Sequence, residues 1–150
     1  MIRAVLDTNI LVSALITKKT SPPQQLYTAF TTQQFLLVTS PPILAEVEDV
    51  INREEIIKYH KRTPRERKAI MEQLIQLSYV ALESLASQEA IIKQDPKDDK
   101  FLYAALESHA EYIVSGDHHL LNLKEYETIT IVTPTDFLVI LKKEQKNKKQ

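Results

Sequence analysis

The apolar segments of this chain are continuous rather than alternating, and helix-start signals stand between them. That pairing constrains the fold more than any other feature. Residues 2–6, Phe35–Thr39, Tyr112–Ser115 and Thr128–Val132 read as strands, the last two rich in β-branched side chains. A strand apolar on both sides is covered on both sides. Such strands, separated by helices, indicate a parallel sheet between two helical layers, an α/β protein built as a three-layer α/β/α sandwich.

The helices announce themselves by their caps. Ser21-Pro22 and Ser40-Pro41 each pair an N-cap residue with a first-turn proline, opening helices through about Thr31 and Asn52. Asn9–Ile16 reads as a short helix with Ile10, Leu11, Ala14 and Leu15 inward. Thr63-Pro64-Arg65-Glu66 is a capping box that starts a long amphipathic helix marked by Ile70, Leu74, Leu77 and Ala81. Ala90-Ile91-Ile92 supplies the remaining strand, and Asp95-Pro96 opens a helix with Phe101, Leu102 and Ala105 on its apolar face. Thr133-Pro134 caps a final helix through about Leu141.

Length and composition bound the rest. A chain of 150 residues suits one domain, here 1–141, followed by a basic, flexible end at 142–150 with five lysines against one glutamate. No apolar run approaches the ~20 residues needed to cross a bilayer, so no membrane role is expected. The start of the chain lacks the pattern of a signal peptide. With no cysteine there is neither a disulfide framework nor a thiolate metal site, and the cytoplasm is the expected location. A net charge of −1 argues against coating nucleic acid through bulk charge. The basic stretch 58–68 reads equally as a solvated helix face or as a local binding patch.

Four segments carry carboxylates where a strand stops or a helix begins. They are Val5-Leu6-Asp7-Thr8-Asn9, Ile43-Leu44-Ala45-Glu46-Val47, the run 95–102 with Asp98 and Asp99, and Ile113-Val114-Ser115-Gly116-Asp117. Each has a bland reading alone: a helix cap for Asp7, a surface glutamate for Glu46, a capping-box acid for Asp98, a turn for Asp117. Gly116 permits a close or left-handed turn that would aim Asp117 over the sheet edge. In an α/β fold, strand ends converge on one edge, where ligands bind. Two carboxylates ~4 Å apart repel by about 4 kcal/mol at an effective dielectric near 20, so a gathered set calls for cations. All-oxygen ligation selects Mg2+ or Mn2+ over zinc and points to phosphodiester chemistry.

The ordered set Asp7-Thr8-Asn9, Glu46, Asp98-Asp99 and Ser115-Gly116-Asp117 resembles the PIN-domain ribonucleases. Leu11-Val12-Ser13-Ala14-Leu15, the run 95–102 and Thr133-Pro134-x-Asp136-Phe137-Leu138 look like one branch, similar to VapC toxins of prokaryotic toxin–antitoxin pairs. The resemblance implies a five-stranded parallel sheet and a Mg2+- or Mn2+-dependent endoribonuclease cutting RNA to a 5′-phosphate and a 3′-hydroxyl. It also implies a cognate antitoxin protein and often a homodimer. Asp7, Glu46, Asp98 or Asp99, and Asp117 are then the metal-binding acids, with Asn9 and Ser115 orienting them or a water. Asp98 fits the branch better, and Asp99 fits the spacing to Asp117 in other PIN proteins. Ser115 replaces a usual threonine, and His118-His119 stands where the branch has an acid, a place that reads as an exposed polar turn. The alternative is a catalytically silent PIN scaffold binding RNA or a partner protein. A phosphoacceptor of receiver type would want adjacent acids in the first loop and a late lysine, neither of which is here. A dehalogenase-type phosphatase would want an aspartate where Asn9 stands, and a single glycine cannot build a G-x-G-x-x-G loop.

Overall fold

A computed structural model describes residues 1–17, 20–82 and 98–148. The elements run β1 (Arg3–Leu6), α1 (Thr8–Ile16), α2 (Pro22–Thr31), β2 (Leu36–Thr39), α3 (Pro41–Ile51), α4 (Glu54–His60), α5 (Pro64–Leu77) and β3 (Tyr79–Val80). They continue with α6 (Asp99–Ser108), β4 (Tyr112–Val114), α7 (His118–Leu123), β5 (Glu125–Tyr126), β6 (Ile129–Val132) and α8 (Pro134–Lys148). Among the described residues the strands form one six-stranded sheet in the order β3-β2-β1-β4-β6-β5. Its first five members are parallel, in a register that sets Val5 beside Val38 and Ile113, and Ile113 beside Ile131. Val5, Leu37, Ile113 and Val114 are wholly buried, as strands sandwiched between helical layers must be.

The expected caps hold. Ser21 accepts from Gln24 N at 3.3 Å and Ser40 from Ile43 N at 3.4 Å, each with proline in the first turn. The Thr63 hydroxyl accepts from Glu66 N at 3.1 Å while Glu66 accepts from Thr63 N at 3.0 Å, which completes the capping box. Each such cap stabilises its helix by about 1 kcal/mol.

Four expectations need correction. The sheet has a sixth strand, β5, antiparallel to β6, where a purely parallel five-stranded sheet was expected. The α5 helix ends at Leu77, so Ala81 is not on its apolar stripe. Ser78 turns extended, its hydroxyl meets that of Thr39 at 3.0 Å, and Tyr79–Val80 joins β2, with Ala81 N donating to Thr39 O at 2.7 Å. His118 and His119 begin α7 rather than a turn. The last helix continues to Lys148, past the end expected near Leu141. The strand expected at Ala90–Ile92 and the helix start at Asp95-Pro96 lie outside the described residues.

This topology places the strand ends. Asp7 N donates to Val114 O at 3.0 Å and Ser115 N to Val132 O at 2.9 Å, so the ladder continues to the carboxyl edge of the sheet. At the opposite edge Arg3 donates to the Ser108 carbonyl at 2.7 Å, and Glu111 N to Arg3 O at 3.0 Å. That pins the end of α6. Its 10 residues, at ~1.5 Å each, bring Asp99 back to the carboxyl edge. The α3 helix likewise starts at the carboxyl edge, capped by Ser40, and runs away from it. Beyond its far end His60 Nε2 lies 3.2 Å from Ile51 O, and Arg67 donates to the Asn52 side chain at 2.6 Å.

Candidate functional site

Asp7 is the pivot. It N-caps α1, with Oδ1 accepting from Ile10 N at 2.9 Å, while Oδ2 accepts from the Ser115 hydroxyl. The side chain is only 5% exposed, and burial pushes its carboxyl above the usual 3.8. Hydrogen bonds from Ser115 and the Ile10 and Gly116 amides pull it down, and the charge of Asp117 pushes it up again. Next to it the buried Thr8 hydroxyl has no hydrogen-bond partner among the described residues.

Ser115 is fully buried and serves two acids. Its Oγ donates to Asp7 and accepts from Asp117 N at 2.9 Å, a serine turn that sets the position of Asp117. Asp117, half-buried, then caps α7 by accepting from His119 N at 2.7 Å. Of the close or left-handed turn expected at Gly116, the left-handed form is not used: that residue does not have positive φ. An added Cβ there would meet Ile10 Cδ1 at 3.8 Å, an ordinary contact. The serine hydroxyl, rather than glycine freedom, aims Asp117.

The other acids arrive on helices. Asp99, 5% exposed, is the first residue of α6; Asp98 before it is half-buried and makes no side-chain cap. Glu46 sits in the second turn of α3, and Lys100 Nζ lies 2.8 Å from its Oε2. Lys100 Nζ is also 5.0 Å from the centroid of the buried Phe101 ring. A cation in the first turn of a helix opposes the macrodipole, by about 0.3–1 kcal/mol when exposed. Reading the acids alone passes over Lys100, and that misplaced charge was the available signal. Asn9 is exposed on the first turn of α1.

The structure therefore brings Asp7, Ser115 and Asp117 together, sets Asp99 on the same edge, and engages Glu46 with Lys100. Among the described residues no three acids or histidines are close enough to enclose a metal ion. The donor set still fits one. Mg2+ is commonly held by one or two carboxylates, with waters and substrate phosphate filling the remaining positions. Two coupled carboxylates, one of them buried, and an unpartnered hydroxyl beside them offer that chemistry. His118 and His119 stack at 4.1 Å next to Asp117, the first exposed and the second half-buried. A groove of about 420 Å³ lined by Glu48, Asn52, Arg67, Lys68, Met71 and Ile75 lies between α3 and α5 and includes none of the five acids.

A mostly parallel α/β/α sheet with acids at its carboxyl edge is an arrangement suited to metal-assisted phosphate chemistry. Residues 3–119 match the PIN domain, and the chain belongs to the PIN domain family. PIN domains are generally nucleases, act on nucleic acid and typically use a divalent metal. Over 145 residues, 91% of this chain and 90% of the relative, it is 28% identical to the uncharacterized protein MJ1680 of Methanocaldococcus jannaschii. No helix among the described residues is long and apolar enough to cross a membrane.

Proposed function

We propose that this chain is a Mg2+- or Mn2+-dependent endoribonuclease that hydrolyses RNA phosphodiester bonds to a 5′-phosphate and a 3′-hydroxyl. Its cellular role in this reading is the toxin of a cytoplasmic toxin–antitoxin pair, with a cognate antitoxin protein as partner and a homodimer as its assembly. Residues 1–141 are the nuclease domain and 142–150 a basic extension. The observation that carries the chemistry is the Ser115 hydroxyl, which donates to the buried Asp7 carboxylate and accepts from the backbone amide of Asp117, so that one residue positions both acids.

In this reading Asp7 and Asp117 would hold the ion, with waters and substrate phosphate completing its coordination, and Glu46 and Asp98 or Asp99 are the further acids of the set. When bound, the ion supplies Lewis acidity at the phosphodiester and lowers the pKa of a water. Ser115 keeps Asp7 and Asp117 in fixed orientation by donating to one and accepting from the backbone of the other. Asn9, exposed at the rim, orients RNA or water. Asp7 is buried, so charge placed there acts at a lower effective dielectric than in bulk water.

The test is cleavage of a structured RNA with Mn2+ or with EDTA. Cutting in the first tube alone is expected, and Asp7→Asn or Asp117→Asn should each lower its rate by at least about 10²-fold without unfolding the chain. Equal cutting in both tubes defeats the metal role. Full activity in both purified variants defeats the assignment of the acids.

A further inference from the structure

We infer that α8 carries a second RNA-binding site, a basic groove remote from the acids that holds the backbone of a long single-stranded substrate. The inference goes beyond the cleavage chemistry and rests on the reading of RNA as substrate. The groove, about 460 Å³, is lined by Gln34, Val139, Lys142, Lys143, Gln145 and Lys146. Phe137 and Leu141 fix α8 to the core, and the helix packs on α2. Val139, Lys142, Lys143 and Lys146 follow at i, i+3, i+4 and i+7, one stripe turned away from that core. Because the helix continues to Lys148, these lysines stand in a fixed array rather than along a loose end.

The charge on this stripe is not met within the molecule. Among the described residues Lys142, Lys143 and Lys146 have no ion-pair partner, whereas Lys148 lies 3.6 Å from Glu144. Like charges three and four apart oppose one another on a helix. The macrodipole favours cations only in the last turn, which leaves Lys142 and Lys143 without that support. A surface that gathers cations against the interest of its own helix suits a polyanion, and RNA is the polyanion that the proposed reaction brings to this chain. No carboxylate lines the groove, and its polar side chains are ammoniums and amides. Val139, 47% exposed, and the lysine stems give an apolar floor for ribose or base. Lys142 and Lys146 stand one turn apart, ~6 Å along the axis, close to the step between phosphates of an extended strand.

Position sets the role of the groove. The α8 helix begins after Thr133, beyond the carboxyl end of β6, and Lys142–Lys146 lie about 13–20 Å further along its axis. Gln34 stands just before β2, where Leu36 N donates to Ile2 O at 2.8 Å at the amino edge of the sheet. A strand held at the acids has to continue for several nucleotides along α8 to reach the groove. Such a contact stabilises ground and transition states alike, so it lowers KM for long RNA and leaves kcat alone.

The full chain tests this with the triple variant Lys142→Gln, Lys143→Gln, Lys146→Gln, and with Lys148→Gln, whose charge lies outside the groove. Binding of a fluorescein-labelled single-stranded RNA of about 24 nucleotides is followed by anisotropy in EDTA across a salt series. Loss of three phosphate contacts should reduce the salt slope by about 2 and weaken binding at least about tenfold. Lys148→Gln should stay within about twofold of the parent, and arginine at all three groove positions should restore the slope. With Mn2+, the triple variant should show KM for the long RNA raised about tenfold at unchanged kcat, and should cut an RNA of about 4 nucleotides within about twofold of the parent. Thermal unfolding identifies a variant that has lost its fold, and the pair Lys142→Gln, Lys146→Gln then carries the comparison with a slope loss of about 1.4. The inference is overturned by an unchanged salt slope in the triple variant or by an equal loss in Lys148→Gln. It is also overturned if a labelled acidic peptide of glutamate and leucine binds the parent more tightly than the RNA does and the triple variant loses it, which gives the groove to a protein. Failure of the nuclease reading looks different: the parent would bind the long RNA, with these lysine effects intact, and not cut it with Mn2+.

Discussion

At the residue scale the conflict is concentrated in Asp7. Because burial raises its native carboxyl above the unfolded value, the folded chain holds that proton more tightly than the unfolded chain does. Without metal, stability therefore falls as pH rises from the unfolded value of about 3.8 through the raised native value. Above that interval the full penalty persists. Asp7→Asn should remove it, because an amide oxygen still caps Ile10 and the amide NH2 can donate to Ser115. Thermal unfolding in EDTA at neutral pH should show the variant as stable as the parent or more so, roughly 2–4 °C in Tm for each kcal/mol gained. Mn2+ should raise the Tm of the parent and leave Asp7→Asn unmoved. A variant markedly less stable in EDTA would mean that the buried charge is not a burden. Ser115→Ala is the companion case: it strips a donor from Asp7 and an acceptor from Asp117 N, and should cost about 1–3 kcal/mol of stability by denaturant titration.

Elements were legible where a side chain declares them. Ser21, Ser40 and Thr63 cap as their types and following prolines indicate. Thr63→Ala should destabilise by about 1 kcal/mol, read from a shift in the urea midpoint with unchanged slope. What was missed lacks such a mark. The α4 helix opens at Arg53 with no side-chain cap, and β5 is two residues of ordinary polarity, Glu125 and Tyr126. Tertiary contacts make both. On α4, His60 is 8% exposed, and its Nδ1 accepts from Arg62 N at 2.9 Å. A backbone amide only donates, so the proton sits on Nε2 and is given to the Ile51 carbonyl at 3.2 Å. This ring ties the end of α3 to the turn before α5. His60→Ala leaves the Ile51 carbonyl and the Arg62 amide unpaired, and should cost about 1–3 kcal/mol in the same titration. No periodicity in the sequence reveals a histidine used as such a tie.

For the whole molecule, the layered sheet and the edge that collects strand ends followed from continuous apolar runs. Convergence of the acids was only partly legible. Asp7 and Asp117 follow adjacent strands and had to approach, whereas Glu46 depends on how α3 packs against α6, and there Lys100 intervenes. The basic stretch 58–68 was ambiguous in sequence; its placement is not. It lies beyond the far end of α3, an 11-residue helix that rises ~16 Å from Ser40. Arg65→Gln and Lys68→Gln should therefore leave Mn2+-dependent cleavage of a short oligoribonucleotide within about twofold, close to the ±0.5 kcal/mol scale of surface changes. A tenfold loss of kcat on so short a substrate would place that stretch against the reacting phosphate after all.

The two outermost strands have a consequence for how copies of this chain meet. β3 and β5 are two residues each, and among the described residues they bound the sheet on either side. An incoming strand would find room for barely one pair of ladder bonds, too short a template for edge-to-edge growth. Among the described residues the sheet thus offers another copy little margin to pair with, and that brevity works against templated growth.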